Sequence, residues 1–106
     1  MATTDGRTTK LSTGADMPLV GLGTWLAKDK VALCSAIHAA IDAGYRLFDT
    51  AYLYQTEEGV GEGLAQCIKH GKIRREDIFV TTKVAFCHFR PIFYYGFSLI
   101  SLFYFF

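Results

Sequence analysis

Between residues 1 and 88 of this chain, apolar positions change their spacing in a fixed alternation. Short β-branched or apolar runs give way to stretches in which apolar residues recur every three or four positions, and then to runs again. Strand and helix taking turns in this way predict parallel strands joined by right-handed crossovers, as in an α/β barrel or a doubly wound sheet. Residues 8–11 and 17–20, parted by the turn formers Ser12-Thr13-Gly14-Ala15-Asp16, predict a small hairpin ahead of the alternation. Val20-Gly21-Leu22-Gly23-Thr24-Trp25 is the first parallel strand, its two glycines marking close approach of another backbone or a ligand. Residues 45–49 form the second strand. Ile78-Phe79-Val80-Thr81-Thr82-Lys83 forms the third, apolar where a sheet covered on both faces requires it and polar only as it ends.

Asp29 is placed to cap the first helix, with Val31, Cys34, Ile37, His38 and Ile41 on its apolar stripe and Gly44 ending it in a left-handed turn. His38 reads as a core or boundary histidine rather than a metal ligand, since no second ligand stands four residues on. Thr56 is expected to cap the second helix, where Glu57 and Glu58 favour the positive end of the dipole. Val60, Leu64, Cys67 and Ile68 make its stripe, and Gly71 closes it. Gly59-Val60-Gly61-Glu62-Gly63 lacks the third glycine of G-x-G-x-x-G and lies inside the helix, so it predicts tight helix-to-sheet packing and not a phosphate loop.

Composition divides the chain at residue 88. Up to that point charges of both signs are interspersed, as a wet-faced globular fold requires; residues 89–106 carry Arg90 as their single charge and are half Phe and Tyr. A net charge of +1 and the absence of basic residues interleaved with aromatics argue against nucleic acid as a partner. Arg74-Arg75 runs straight into Glu76-Asp77 and reads as a solvated corner. Cys34, Cys67 and Cys87 are odd in number with no C-x-x-C, which argues against a disulfide framework or a zinc site and for a reducing, cytoplasmic compartment. The polar opening residues do not read as a secretory signal. Residues 91–106 are uncharged, yet as a helix they reach only about 24 Å against a hydrocarbon core of about 30 Å, so membrane spanning is not expected. The aromatic run is an aggregation hazard, and its composition is what translated non-coding or mis-spliced A/T-rich sequence supplies.

In parallel α/β folds reactive groups collect at the carboxyl ends of the strands, where the βα loops share a mouth. Here those ends carry Thr24-Trp25, then Asp49 with Tyr54 five residues on, then Lys83. An acid, a phenol and an amine thus reach one rim from separate stretches. A free phenol ionises near pH 10, so donating its proton near neutrality needs a stabilised phenolate. A neighbouring ammonium supplies that, and a carboxylate beyond it keeps the amine charged and in place. Tyr54, Lys83 and Asp49 take those roles in that order, with a carbonyl oxygen as the proton's destination. Singly, each residue has a plainer reading: Trp25 a core aromatic, Asp49 a loop cap, Lys83 a snorkelling surface residue.

Gly44-Tyr45-Arg46-Leu47-Phe48-Asp49-Thr50-Ala51, followed by Glu57 and Val60-Gly61, resembles the signature of the aldo-keto reductase family. Gly21-Leu22-Gly23-Thr24-Trp25 and Arg75-Glu76-Asp77-Ile78-Phe79-Val80-Thr81-Thr82-Lys83 are similar to the family's segments on either side, and all three occur in order. The resemblance implies a (β/α)₈ TIM barrel that binds NADPH without a Rossmann unit and reduces small-molecule aldehydes or ketones. It assigns Tyr54 as general acid supported by Lys83 and Asp49, places Thr24 and Asp49 by the nicotinamide and ribose, and makes Trp25 a wall of the substrate pocket.

The resemblance covers about residues 7–88. The family's catalytic histidine on a fourth strand is not matched, since His88 falls in the loop after the third. Three strands cannot close a barrel of roughly 250 residues, so the expectation is an incomplete barrel, marginal in stability and without reductase activity by itself. A non-catalytic binding or regulatory fragment, tethered by its aromatic end, is the alternative. The carbonyl substrate and the oligomeric state are not legible in these residues.

Overall fold

A computed structural model of the chain describes residues 6–85. The readings attached to residues 1–5 and to the aromatic segment, together with Cys87 and His88, lie outside the described residues.

The predicted order of elements is present. Strands β1 (Thr8–Lys10) and β2 (Asp16–Pro18) pair antiparallel with Thr9 opposite Met17. A second, three-stranded sheet contains β3 (Leu22–Gly23), β4 (Leu47–Asp49) and β5 (Phe79–Thr81), side by side in chain order and all parallel. Helix α1 (Lys30–Asp42) connects β3 to β4, and α2 (Glu57–Lys69) connects β4 to β5. Among the described residues the sheet is open, as the opening portion of a barrel.

Strand alternation decides what each face of this sheet does. The row Leu22, Phe48, Val80 lies in register across the three strands; Phe48 is fully buried, and Leu22 and Val80 pack on the same core as the helices. Burying a side chain of that kind contributes roughly 1.5–3 kcal/mol. The next row, Gly23, Asp49, Thr81, therefore faces away from the helices, at the carboxyl ends of the strands.

Local chemistry fixes the helix ends. Asp29 accepts a hydrogen bond from the Ala32 N–H at 3.1 Å, the expected cap. Gly44 turns the chain out of α1 at φ 97°, a conformation that costs an L side chain about 1 kcal/mol or more. Arg46 donates to the carbonyls of Ile41 and Tyr45 as the chain leaves α1, adding to the Gly44 N–H that the Ile41 carbonyl also accepts.

Four local expectations are corrected. On α1, Ile37 and Ile41 are buried as expected and Cys34 and His38 are half-buried, but Val31 is 78% exposed and Leu33 and Ala40 complete the buried stripe; Val31 and Leu33 stand about 200° apart around a helix, so only one of them can face the core. Thr56 does not cap α2 with its side chain, because its hydroxyl is engaged by Thr24. Gly59 and Gly63 of α2 serve helix-to-helix and not helix-to-sheet packing: a Cβ on Gly63 would stand 3.0 Å from Ile37 Cδ1, and one on Gly59 2.9 Å from Leu33 Cδ2, both on α1. Val60, Leu64 and Cys67 are buried as expected, and burial pushes the Cys67 thiol up, whereas Ile68 is exposed. His38 is a half-buried boundary residue bonded to Gln66 at 3.1 Å. Arg74 is paired with Asp77 beside the short 3-10 turn Arg75–Asp77, consistent with a solvated corner.

Candidate active site

The carboxyl end of β4 places Asp49 in the open row, and the loop that follows winds into a 3-10 turn, Tyr52–Tyr54. Lys83 follows two residues after β5 ends. Its ammonium donates to both oxygens of Asp49, at 2.8 and 2.9 Å, and to the Thr50 carbonyl at 3.0 Å. The same nitrogen stands over the Tyr54 ring, 5.0 Å from its centroid, a cation–π distance. The acid, the amine and the phenol named from sequence are thus brought together at one end of neighbouring parallel strands.

Electrostatics follow from those contacts. Bonding to Lys83, and next to Thr81, whose hydroxyl donates at 2.5 Å, holds the Asp49 carboxyl below the usual carboxylate range. For Lys83, desolvation pulls its proton affinity down, but bonding to Asp49 and Tyr54 outweighs it, and the net direction is up. Both side chains remain reachable from solvent, 42% exposed for Asp49 and 53% for Lys83.

Thr24 sits directly beneath this group. It is fully buried; its hydroxyl donates to the Asp49 carbonyl at 2.9 Å and meets the Thr56 hydroxyl, also at 2.9 Å. Trp25, in the loop after β3, is 70% exposed, and with Leu26 and Leu53, both more than half exposed, it adds apolar surface to the loops that follow β3 and β4. The two non-glycine residues with positive φ among those described, Leu26 at 65° and Gln55 at 54°, directly follow Trp25 and Tyr54. Backbone strain of this sort persists where surrounding structure over-determines it and collects at functional sites.

The two strand glycines divide the roles expected of them. A Cβ on Gly21 would fall 2.6 Å from Leu47 Cγ and 2.8 Å from the Leu47 carbonyl, so Gly21 marks the approach of β4. A Cβ on Gly23 would meet nothing within 4 Å, so open space adjoins Asp49 in the same row. That space lies beside an exposed carboxylate with an ammonium and a phenol at hand, and Thr24 holds the Asp49 backbone from the buried side.

Sequence reasoning missed a buried layer of hydroxyls around Glu57, which is 6% exposed and accepts from Thr50 at 3.3 Å and from Thr82. The available signal was a threonine directly after Asp49 and another directly before Lys83, with a carboxylate in the first turn of the helix between them.

The aldo/keto reductase family model matches residues 19–96. An NAD(P)H-dependent D-xylose reductase of Hypocrea jecorina is 47% identical over 77 residues, 73% of this chain and 24% of that protein. An NADP-dependent D-sorbitol-6-phosphate dehydrogenase of Malus domestica is 49% identical over 78 residues, again 24% of its length. A crystal structure of an aldo-keto reductase complexed with NADPH superposes with a TM-score of 0.84 at 36% identity, covering 93% of this chain and 32% of that one. The chain spans about a quarter of the length of these curated relatives. With more than half of its residues matched by the family model, the chain belongs to the aldo/keto reductase family.

Proposed function

We propose that these residues form the proton-donating part of a site for NADPH-dependent reduction of aldehydes or ketones to alcohols. The observation that carries the reading is one nitrogen, Lys83 Nζ, shared between the Asp49 carboxylate and the Tyr54 ring. NADPH, when bound, supplies the hydride that reaches the carbonyl carbon. Tyr54 gives its hydroxyl proton to the carbonyl oxygen, so that C=O becomes CH–OH. The Lys83 ammonium stabilises the phenolate left behind, and Asp49 holds that ammonium charged and aimed. The apolar surface of Trp25 and its neighbours would exclude water from the reacting carbonyl.

The similarity to an NAD(P)H-dependent D-xylose reductase and an NADP-dependent D-sorbitol-6-phosphate dehydrogenase supports nicotinamide as the cofactor and a small polar carbonyl compound as the substrate class. Free thiols at Cys34 and Cys67 fit a reducing compartment such as the cytoplasm, and among the described residues no helix is long and apolar enough to cross a membrane.

A graft tests the activity. Residues 19–85 replace the corresponding segment of the Hypocrea jecorina reductase, and NADPH oxidation is followed with D-xylose and with a simple aldehyde. The graft is expected to turn over, and Tyr54→Phe within it to lose on the order of 10²–10⁴-fold in kcat while cofactor fluorescence still reports binding. Undiminished turnover by Tyr54→Phe overturns the assignment.

A further inference from the structure

We infer that Glu57 is a positioning residue for the relay: its buried carboxylate clamps the residue after Asp49 to the residue before Lys83, and so fixes how that acid and that amine meet. The inference rests on the reductase reading only in calling the pair a relay.

Adjacent residues of an extended segment point to opposite faces. With Asp49 in the open row, Thr50 turns toward the helices, and the hydroxyls of Thr50 and Thr82 both reach a single oxygen, Oε1 of Glu57, in the first turn of α2. The clamp acts where the sheet itself lets go. The ladder between β4 and β5 ends at Asp49 and Thr81; the Thr50 N–H still reaches the Thr81 carbonyl at 2.8 Å, but the next such contact, Tyr52 N–H to the Lys83 carbonyl, has stretched to 3.4 Å. Beyond that point, backbone bonds alone hold Lys83 loosely. Thr50 divides its one proton between the Thr81 carbonyl at 2.9 Å and Glu57 at 3.3 Å, so Thr82 is the firmer grip.

A carboxylate is an expensive way to fill buried space, since an apolar side chain would do so without desolvating a charge. What it adds is a charged acceptor for two hydroxyls at once, and hydrogen bonds to a charged group are the short, strong ones. The N-terminal turn of a 13-residue helix also favours negative charge there.

The test needs neither cofactor nor substrate. In the full 106-residue chain, side-chain carbon NMR follows the titration of Lys83 and Asp49, with Asp77, held low by its bonds to Arg74, as the internal control. In the unaltered chain Lys83 is expected to titrate above 10.5 and Asp49 below 3.8. Thr82→Val and Glu57→Leu are expected to move both toward those ordinary values by about half a unit, a roughly three-fold change in proton affinity, and to leave Asp77 in place. Glu57→Gln keeps an oxygen acceptor and is expected to retain most of the shift. Should Glu57→Leu fail to fold, Thr82→Val, which removes one hydroxyl, carries the test. The inference is overturned if Thr82→Val leaves both titrations unmoved, if Asp77 moves with them, or if Lys83 titrates as an ordinary lysine from the start. Failure of the reductase reading has a different signature: no turnover in the graft while the titrations behave as described.

Discussion

The hydroxyls of Thr24 and Thr56 meet at 2.9 Å, joining the segment after β3 to the residue before α2. Thr24 spends its single proton on the Asp49 carbonyl, so Thr56 is the donor between the two hydroxyls. The chain of donation therefore runs from Thr56 through Thr24 to the backbone of Asp49. Both threonines are buried, at 2% and 0% exposure, which removes water as a substitute partner.

This direction makes the two positions unequal. Thr24→Val strands both the Thr56 hydroxyl and the Asp49 carbonyl, whereas Thr56→Val removes one donor and leaves Thr24 with its main bond. Urea denaturation is expected to show a cost of about 2–3 kcal/mol for the first and about 1 kcal/mol for the second, given what unsatisfied buried polar groups cost. Equal costs, or the reverse order, would contradict the assigned direction.

The α2 glycines offer a second contrast. Alanine at Gly59 would press on Leu33 Cδ2, the end of a flexible side chain that can swing aside. At Gly63 it would press on Ile37 at three atoms between 3.0 and 3.3 Å, Cβ among them, and Ile37 is fully buried. Replacing glycine by alanine inside a helix gains about 1 kcal/mol. Gly59→Ala is accordingly expected to be neutral or stabilising, and Gly63→Ala to lower stability by about 1–2 kcal/mol net of that gain. Thermal midpoints measured side by side decide it.

The strand glycines give a third. Gly21→Ala would drive a methyl into the Leu47 carbonyl, which is backbone and cannot rotate away, so β3 must separate from β4. Loss of more than about 3 kcal/mol is expected, enough to unfold a small open sheet. Gly23→Ala, with open space around it, is expected to change the unfolding free energy in urea by under about 1 kcal/mol.

What could be read in advance followed from periodicity and from single residues with one structural use. Asp29 as a cap and Gly44 as a left-handed terminus are of that kind, and the strand order follows once helices separate the strands. The meeting of Asp49, Tyr54 and Lys83 was legible because a parallel sheet sends the carboxyl ends of its strands to one rim. The Ile37 and Ile41 part of the α1 stripe was legible too; its N-terminal end was not, since Val31 and Leu33 are similarly apolar and the choice between them depends on where α2 lies. The Glu57 clamp was illegible for a related reason: a glutamate in a first helical turn looks solvated until the fold covers it with two threonines.

The Asp49–Lys83 pair predicts how stability depends on pH. The folded Asp49 carboxyl lies below its ordinary 3.8, so its contribution is complete above that value and is lost as pH falls through the lower, folded one. Lys83 lies above its ordinary 10.5, so its contribution is complete below that value and is lost as pH rises through the higher, folded one. Between about pH 5 and pH 9 the pair therefore adds a constant increment. Partial exposure of both partners keeps that increment under about 1 kcal/mol, and salt reduces it. Comparing urea midpoints of the unaltered chain and Lys83→Met across pH measures it: the difference should be flat through neutrality and should shrink as pH falls below 3.8. A difference that persists undiminished in acid would mean that Lys83 stabilises the fold through its aliphatic stem and not through Asp49.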